Sequence, residues 1–201
     1  MALSEDSGVE RFHATSGRVT GWLTVVVAAV VALTGAFYID EGFPLWLVAS
    51  AVLVGVLAWA AMLRPALWVD DGVIVMRNML ETIHIRLVAV EELAVRQVLA
   101  IRADDRRWVS TAIGRSLRKT MSSGRQPAVG LDGKAATSVK YVDFVEDRLH
   151  RLIDEARRAA GIRPGSPEQL ALPDAVRQER AWVPIALIAV ASVALLVTLL
   201  V

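Results

Sequence analysis

Three long runs without a charged residue constrain this chain more than any other feature. Val19–Ile39 spans 21 positions, Gly42–Leu63 spans 22, and Ala181–Val201 spans 21, with no Asp, Glu, Lys or Arg in any of them. Each run matches the roughly 20 helical residues that cross a hydrocarbon core of about 30 Å. The last run alone holds 12 Leu, Ile and Val residues. At about −0.3 to −0.6 kcal/mol each, these favour insertion over solution. The runs also account for a hydrophobic fraction of 55%, above that of an ordinary soluble domain. A multi-pass membrane protein is therefore expected, with a helical hairpin at 19–39 and 44–63 and a third transmembrane helix at 181–201.

Charge gives the expected orientation. Residues 64–180 carry 20 of the 22 basic residues, whereas the Asp40-Glu41-Gly42 turn between the first two helices has none. Basic loops stay cytoplasmic, so the N-terminal arm (1–18) and the 64–180 region belong in the cytoplasm and the C-terminus outside. Tyr38, Phe43 and Trp46 fall at one interface and Trp22 and Trp59 near the other, where aromatic residues collect. Small residues recur every four positions on the first hairpin helix, at Thr24, Ala28, Ala32 and Ala36, and at steps of four and three on the second, at Ala51, Gly55 and Ala58. Without a hydrophobic force between helices in lipid, close approach of backbones holds them together. Ala28, Ala32, Ala51 and Gly55 are the candidate packing residues.

Between the hairpin and the third helix the periodicity changes to that of strands. Leu67 and Val69 alternate with Trp68 and Asp70, Asp71-Gly72 supplies a turn, and Val73–Met76 answers as a β-branched strand. Thr82–Ile85, Val88 with Val90, and Leu93 with Val95 continue the pattern. A second hairpin joins Val98–Ile101 to Trp108–Thr111 through Ala103-Asp104-Asp105. Short strands joined by short turns predict one antiparallel sheet or a partly open barrel. Residues 114–137 break the pattern with Gly, Ser, Pro and basic residues and one weak strand at Ala128–Leu131. From Ser138 to Ala160, Val142, Val145, Leu149, Leu152, Ile153 and Ala156 form one stripe of an amphipathic helix. Gly161 follows as its cap, and 162–180 reads as a Pro-containing linker.

This order resembles the membrane-anchored bacterial PH-like domain family. The likeness rests on Arg64–Ile113, above all the hairpin Trp68–Asn78 and the strand pair Ile83–Leu93, and with the helix it covers about half of the chain. Two departures stand out: Arg86-Leu87 replaces a Trp that family members often carry after the third strand, and many members lack a third transmembrane helix. The resemblance implies a cytoplasmic, antiparallel PH-like β-barrel over 64–161, capped by its C-terminal helix, self-associating and without catalytic activity. An excess of Arg (19) over Lys (3) suits a GC-rich bacterial genome, and hence a bacterial plasma membrane.

The residues themselves point away from catalysis. The chain has no cysteine, which excludes disulfides and thiolate chemistry. His13, His84 and His150 share no helical or strand spacing, Asp70-Asp71 and Asp104-Asp105 read as turns, and no phosphate loop or nucleophile elbow occurs. No ionisable residue interrupts the membrane runs, so an ion pathway is not expected. No catalytic residue, metal or cofactor is expected, and no nucleic acid. The remaining chemistry is a basic stretch with Arg115, Arg118, Lys119 and Arg125, suited to membrane lipids or to a partner. The expected function is a non-enzymatic scaffold binding a protein partner or itself at the cytoplasmic face. An accessory subunit of a larger membrane complex and an anionic-lipid-sensing module are the alternatives.

Overall fold

The computed structural model describes residues 9–13, 17–114 and 133–200. These form two compact units: a helical one from 17–65, 79–81 and 180–200, and an α+β one from 66–78 and 82–179 with the segment before the first helix.

The helical unit contains α1 (Arg18–Phe37), a 3₁₀ turn (Ile39–Glu41), α2 (Leu45–Ala58) and, after the α+β segment, a helix at Trp182–Leu200. α2 runs on through a π turn at Trp59–Leu63, where the Arg64 N–H donates to the Trp59 carbonyl at 3.0 Å, five residues back. All three helices are long and apolar enough to cross a membrane. α2 packs against both α1 and the Trp182–Leu200 helix.

The buried residues of α1 are Gly21, Ala28 and Gly35, seven apart. A methyl group on Gly21 would lie 2.8 Å from Met62 Cβ; on Gly35, 2.5 Å from Val48 Cγ2 and 2.6 Å from Phe43 Cε1. Ala28 Cβ sits 3.3 Å from the position a Cβ would take on Gly55. Of the stripe expected at every fourth residue, Ala28 is buried, Ala32 half-buried and Ala36 exposed, while the buried residues recur at every seventh. Helical geometry explains this. A step of four advances about 40° beyond a full turn, so a four-residue ladder rotates off its contact, whereas a step of seven drifts by only about 20°. Gly35→Val should overpack the α1–α2 contact and cost about 1–3 kcal/mol. Val30→Leu, on an exposed face, should be nearly neutral. Thermal unfolding of the two variants in detergent measures the difference, and equal midpoints would mean that Gly35 is not at the contact.

The α+β unit comprises β1 (Glu10–Phe12), β2 (Ala66–Asp70), β3 (Val73–Arg77), β4 (Glu81–Arg86), a 3₁₀ turn (Leu87–Ala89), β5 (Glu92–Val95), β6 (Leu99–Ala103), β7 (Arg106–Ser110), α3 (Gly133–Ala160), α4 (Pro167–Leu170) and β8 (Val176–Arg180). One sheet has the order β1-β2-β3-β4-β8, the other β5-β6-β7. The β2–β3 turn places Asp71 and Gly72 at φ 43° and 73°. Positive φ at both central residues suits the twist of a two-residue hairpin, and Gly adopts it without strain. Asp104 and Asp105 do the same between β6 and β7 at φ 55° and 54°.

Three sequence expectations are corrected here. The arm at 1–18 contributes a strand, pairing Glu10, Arg11 and Phe12 with Val69, Trp68 and Leu67. The linker at 162–180 contains α4 and β8. Ser166 caps α4 by accepting from the Gln169 N–H, and Gln169 is itself buried, donating to the carbonyls of Val88 and Val90, each at 2.9 Å. Third, Leu87–Ala89 is a 3₁₀ turn and not part of a strand: the Val90 N–H donates to the Leu87 carbonyl at 3.3 Å, a local bond in place of strand pairing. The described sheets are not closed into one barrel. β4 has β3 on one edge and β8 on the other, so β5 has no edge of β4 on which to continue.

A single core serves both sheets and the helix. Leu67, Ile74, Ile83 and Ile85 from the first sheet and Leu99 and Ile101 from the second meet Val142, Val145, Leu149 and Ile153 of α3. α3 packs on the 3₁₀ turn and on β5. Polar contacts fix its rotation: the Val95 N–H donates to Glu146 at 3.2 Å, Arg157 donates to the Val90 carbonyl, and the His13 N–H donates to the Tyr141 hydroxyl at 2.7 Å. Arg148 Nε donates to both Glu10 oxygens, at 3.0 and 3.1 Å. That hydrogen bond first, and the Glu10 charge second, raise the Arg148 pKa above its ordinary value.

Candidate functional site

The outer face of the β5–β7 sheet is built by strand alternation. Leu93, Val95, Leu99 and Ile101 point into the core, which turns Glu92, Ala94, Ala100, Arg102 and Arg107 outward. Antiparallel pairing sets Glu92 opposite Arg102, Arg102 opposite Arg107, and Ala94 opposite Ala100. The alanines form a low floor. Arg96, after β5, and Arg106, at the start of β7, add to the rim of a groove of about 1020 Å³.

Two like charges face one another at Arg102 and Arg107, a pairing that destabilises a sheet unless compensated. Arg102 is compensated. Its Nε lies 3.1 Å from Glu91 and its Nη2 donates to Asp105 at 3.0 Å. The Asp105 hydrogen bond is the larger cause and the Glu91 charge the next of a pKa held above the usual guanidinium range. Arg96, Arg106 and Arg107 have no ion-pair partner among the described residues. A tight turn, in which the Arg96 N–H donates to the Val98 carbonyl at 3.2 Å, holds Arg96 at the Leu99 end of β6. Arg107 lies across from Arg102 near the other end. Among the described residues, the groove thus carries guanidinium groups without an ion-pair partner at both ends of one strand.

Among the described residues, β7 is the edge strand with no further strand on it, and α3 packs against β5 at the other edge. Asn78 donates to the Val109 carbonyl at 2.9 Å and ties β7 to the end of β3.

The residues singled out from sequence fall elsewhere. Arg115, Arg118, Lys119 and Arg125 lie outside the described residues, as does the weak strand at 128–131. Ala28 and Gly55 meet in the α1–α2 contact, and Ala28 and Ala51 both line an apolar groove of about 450 Å³ between those helices. Ala32 is half-buried. Among the described residues, no group of three His, Asp or Glu side chains could hold a metal ion. His84 approaches Glu179 only to 3.9 Å.

Sequence reasoning passed over the β5–β7 groove. Its available signal was Arg106-Arg107, two charges opening a strand immediately after the Asp104-Asp105 turn. Which other residues those arginines join depends on register across β6. Comparison with protein-family models, curated proteins and solved structures found no match to this chain.

Proposed function

We propose that the chain is a non-enzymatic adaptor or scaffold, anchored in a bacterial plasma membrane, that binds a protein partner or itself at the cytoplasmic face through a PH-like α+β unit. The observation that supports the membrane part of the reading is the pairing of β1 with β2. β1 precedes α1 and β2 follows α2, yet they are neighbours in one sheet. This pairing favours both ends of the hairpin on one side of a membrane, with α1 and α2 crossing as a pair. Their length and apolarity favour crossing. The excess of basic residues at 64–180 favours the cytoplasm for that side and the exterior for the C-terminus.

The PH-like part of the reading is supported by antiparallel strands packed on a C-terminal amphipathic helix through a shared core. A folded unit joined to membrane helices at both ends, with a broad groove on its surface, suits docking better than turnover.

Because the chain has no cysteine of its own, a single introduced cysteine reports only its own position once the chain is isolated. A membrane-impermeant maleimide should label Asp40→Cys in intact cells and Arg163→Cys only after permeabilisation. The reverse pattern would sink the orientation. The full chain, crosslinked and then purified in mild detergent, should run as an oligomer or a stoichiometric complex. A solitary monomer would sink the adaptor reading. An assembly that survives deletion of residues 66–179 would favour the accessory-subunit alternative.

A further inference from the structure

We propose that the groove over β5–β7 binds an extended, acidic segment of a protein partner, with Arg96 at one end and Arg106 and Arg107 at the other. This inference rests on the adaptor reading and names the chemistry of what is bound.

The spacing of the guanidinium groups selects the ligand. Arg96 sits beyond the Val95–Leu99 pair and Arg107 sits opposite Arg102. Leu99 and Arg102 are three residues apart along β6, which is roughly 10 Å at the rise of an antiparallel strand. A single phosphate or lipid headgroup can satisfy one end of such a groove and not both. An extended peptide advances by about the same rise per residue, so carboxylates three or four residues apart would reach both ends. Guanidinium groups bind carboxylates in a two-pronged fashion.

The floor and the volume agree. Ala94 and Ala100 leave room over the centre of the sheet, and about 1020 Å³ lies at the upper limit for small-molecule pockets. A peptide of several residues fills that space. The charges that are already neutralised point the same way. Glu91 and Asp105 hold Arg102, so the sheet keeps one arginine for its own stability, presents Arg107 on the same face and leaves Arg96 and Arg106 at the rim. An incoming carboxylate would give Arg107 the kind of partner that Arg102 already has.

The test uses the full chain in neutral detergent and a short fluorescein-labelled oligoglutamate peptide, read by fluorescence anisotropy. Binding should be saturable and should weaken as salt rises. Replacing Arg96, Arg106 and Arg107 together with Gln should weaken it by about tenfold or more, the scale of losing charge-assisted hydrogen bonds. Glu92→Gln removes a carboxylate from the same groove and should tighten binding. Because this change acts in the opposite direction, loss of fold in the triple variant could not mimic the full pattern. The proposal is overturned if oligoglutamate does not bind, or binds the triple variant as well as the parent chain. It is equally overturned if the triple variant loses only phosphatidylglycerol micelles while the peptide is ignored, which would assign the groove to anionic lipid. Either failure leaves the adaptor reading standing if crosslinking still yields an assembly.

Discussion

Leu149→Ala should cost the α+β unit about 2–5 kcal/mol, the range for truncating a fully buried leucine in a close-packed core. Leu149 has no exposed surface and stands in a row with Val145 and Ile153, on the helix that packs against the 3₁₀ turn and β5. Removing its side chain leaves a cavity that the surroundings cannot readily fill, because Glu146, Arg148 and Arg157 each pin the helix by hydrogen bonds on either side of it. A domain of this size is stable by only about 5–15 kcal/mol in all, so the loss is a large share. Phe144→Ala serves as the control: Phe144 is on the same helix but 52% exposed, and its loss should be well under 1 kcal/mol. Denaturant unfolding of the full chain in detergent measures both. A loss below about 0.5 kcal/mol for Leu149→Ala would mean that α3 is not the lid of the core.

α3 was legible in the sequence because its signal is local. The stripe from Val142 to Ala156 follows the helical period, and the residues that carry it are the ones found buried or half-buried. The two hairpins were legible for the same reason, since Asp71-Gly72 and Asp104-Asp105 are turn residues between apolar runs. The apolar helices needed even less, only length and absence of charge.

β1 and β8 were illegible because their signal is not local. Glu10–Phe12 is three residues long, too short to show a period, and forms a strand because the β2 edge is available to it. Val176–Arg180 has one apolar residue followed by Arg, Gln, Glu and Arg, a sequence with no strand pattern of its own. It is held by position, on the free edge of β4. Gln169 read as one more polar linker residue, yet it is 2% exposed and satisfies two carbonyls at the 3₁₀ turn. The groove was hidden for a related reason. Arg96 and Arg107 are far apart in the chain, and only the β5–β6–β7 register puts them on one face. The seven-residue stripe of α1 was visible in principle, but an alanine-rich helix offers several small-residue ladders and the sequence does not rank them.

Gly114→Ala should be as damaging as any substitution in the second sheet, at about 3 kcal/mol or more, although it adds only a methyl group. Gly114 is buried, and a Cβ at this position would lie 1.9 Å from the Gln97 carbonyl oxygen and 2.7 Å from the Gln97 carbonyl carbon. Both are backbone atoms, so no side chain can rotate away to make room. The segments cannot separate freely either. The Leu99 N–H donates to the Ile113 carbonyl at 2.9 Å, and both Ile113 and Leu99 are fully buried in the core. Relief of the clash would therefore break that hydrogen bond, lift Ile113 out of the core, or distort the Arg96–Val98 turn that sets one end of the arginine groove. Gly72→Ala separates this close approach from ordinary glycine strain. Gly72 has φ +73°, and a methyl group there would meet nothing within 4 Å. Its replacement should cost only the left-handed backbone penalty of about 1–2 kcal/mol. Unfolding midpoints of the two variants should then differ clearly, with Gly114→Ala the lower. If Gly114→Ala is the milder change, the segment after β7 does not run against Gln97, and oligoglutamate binding should be indifferent to it as well.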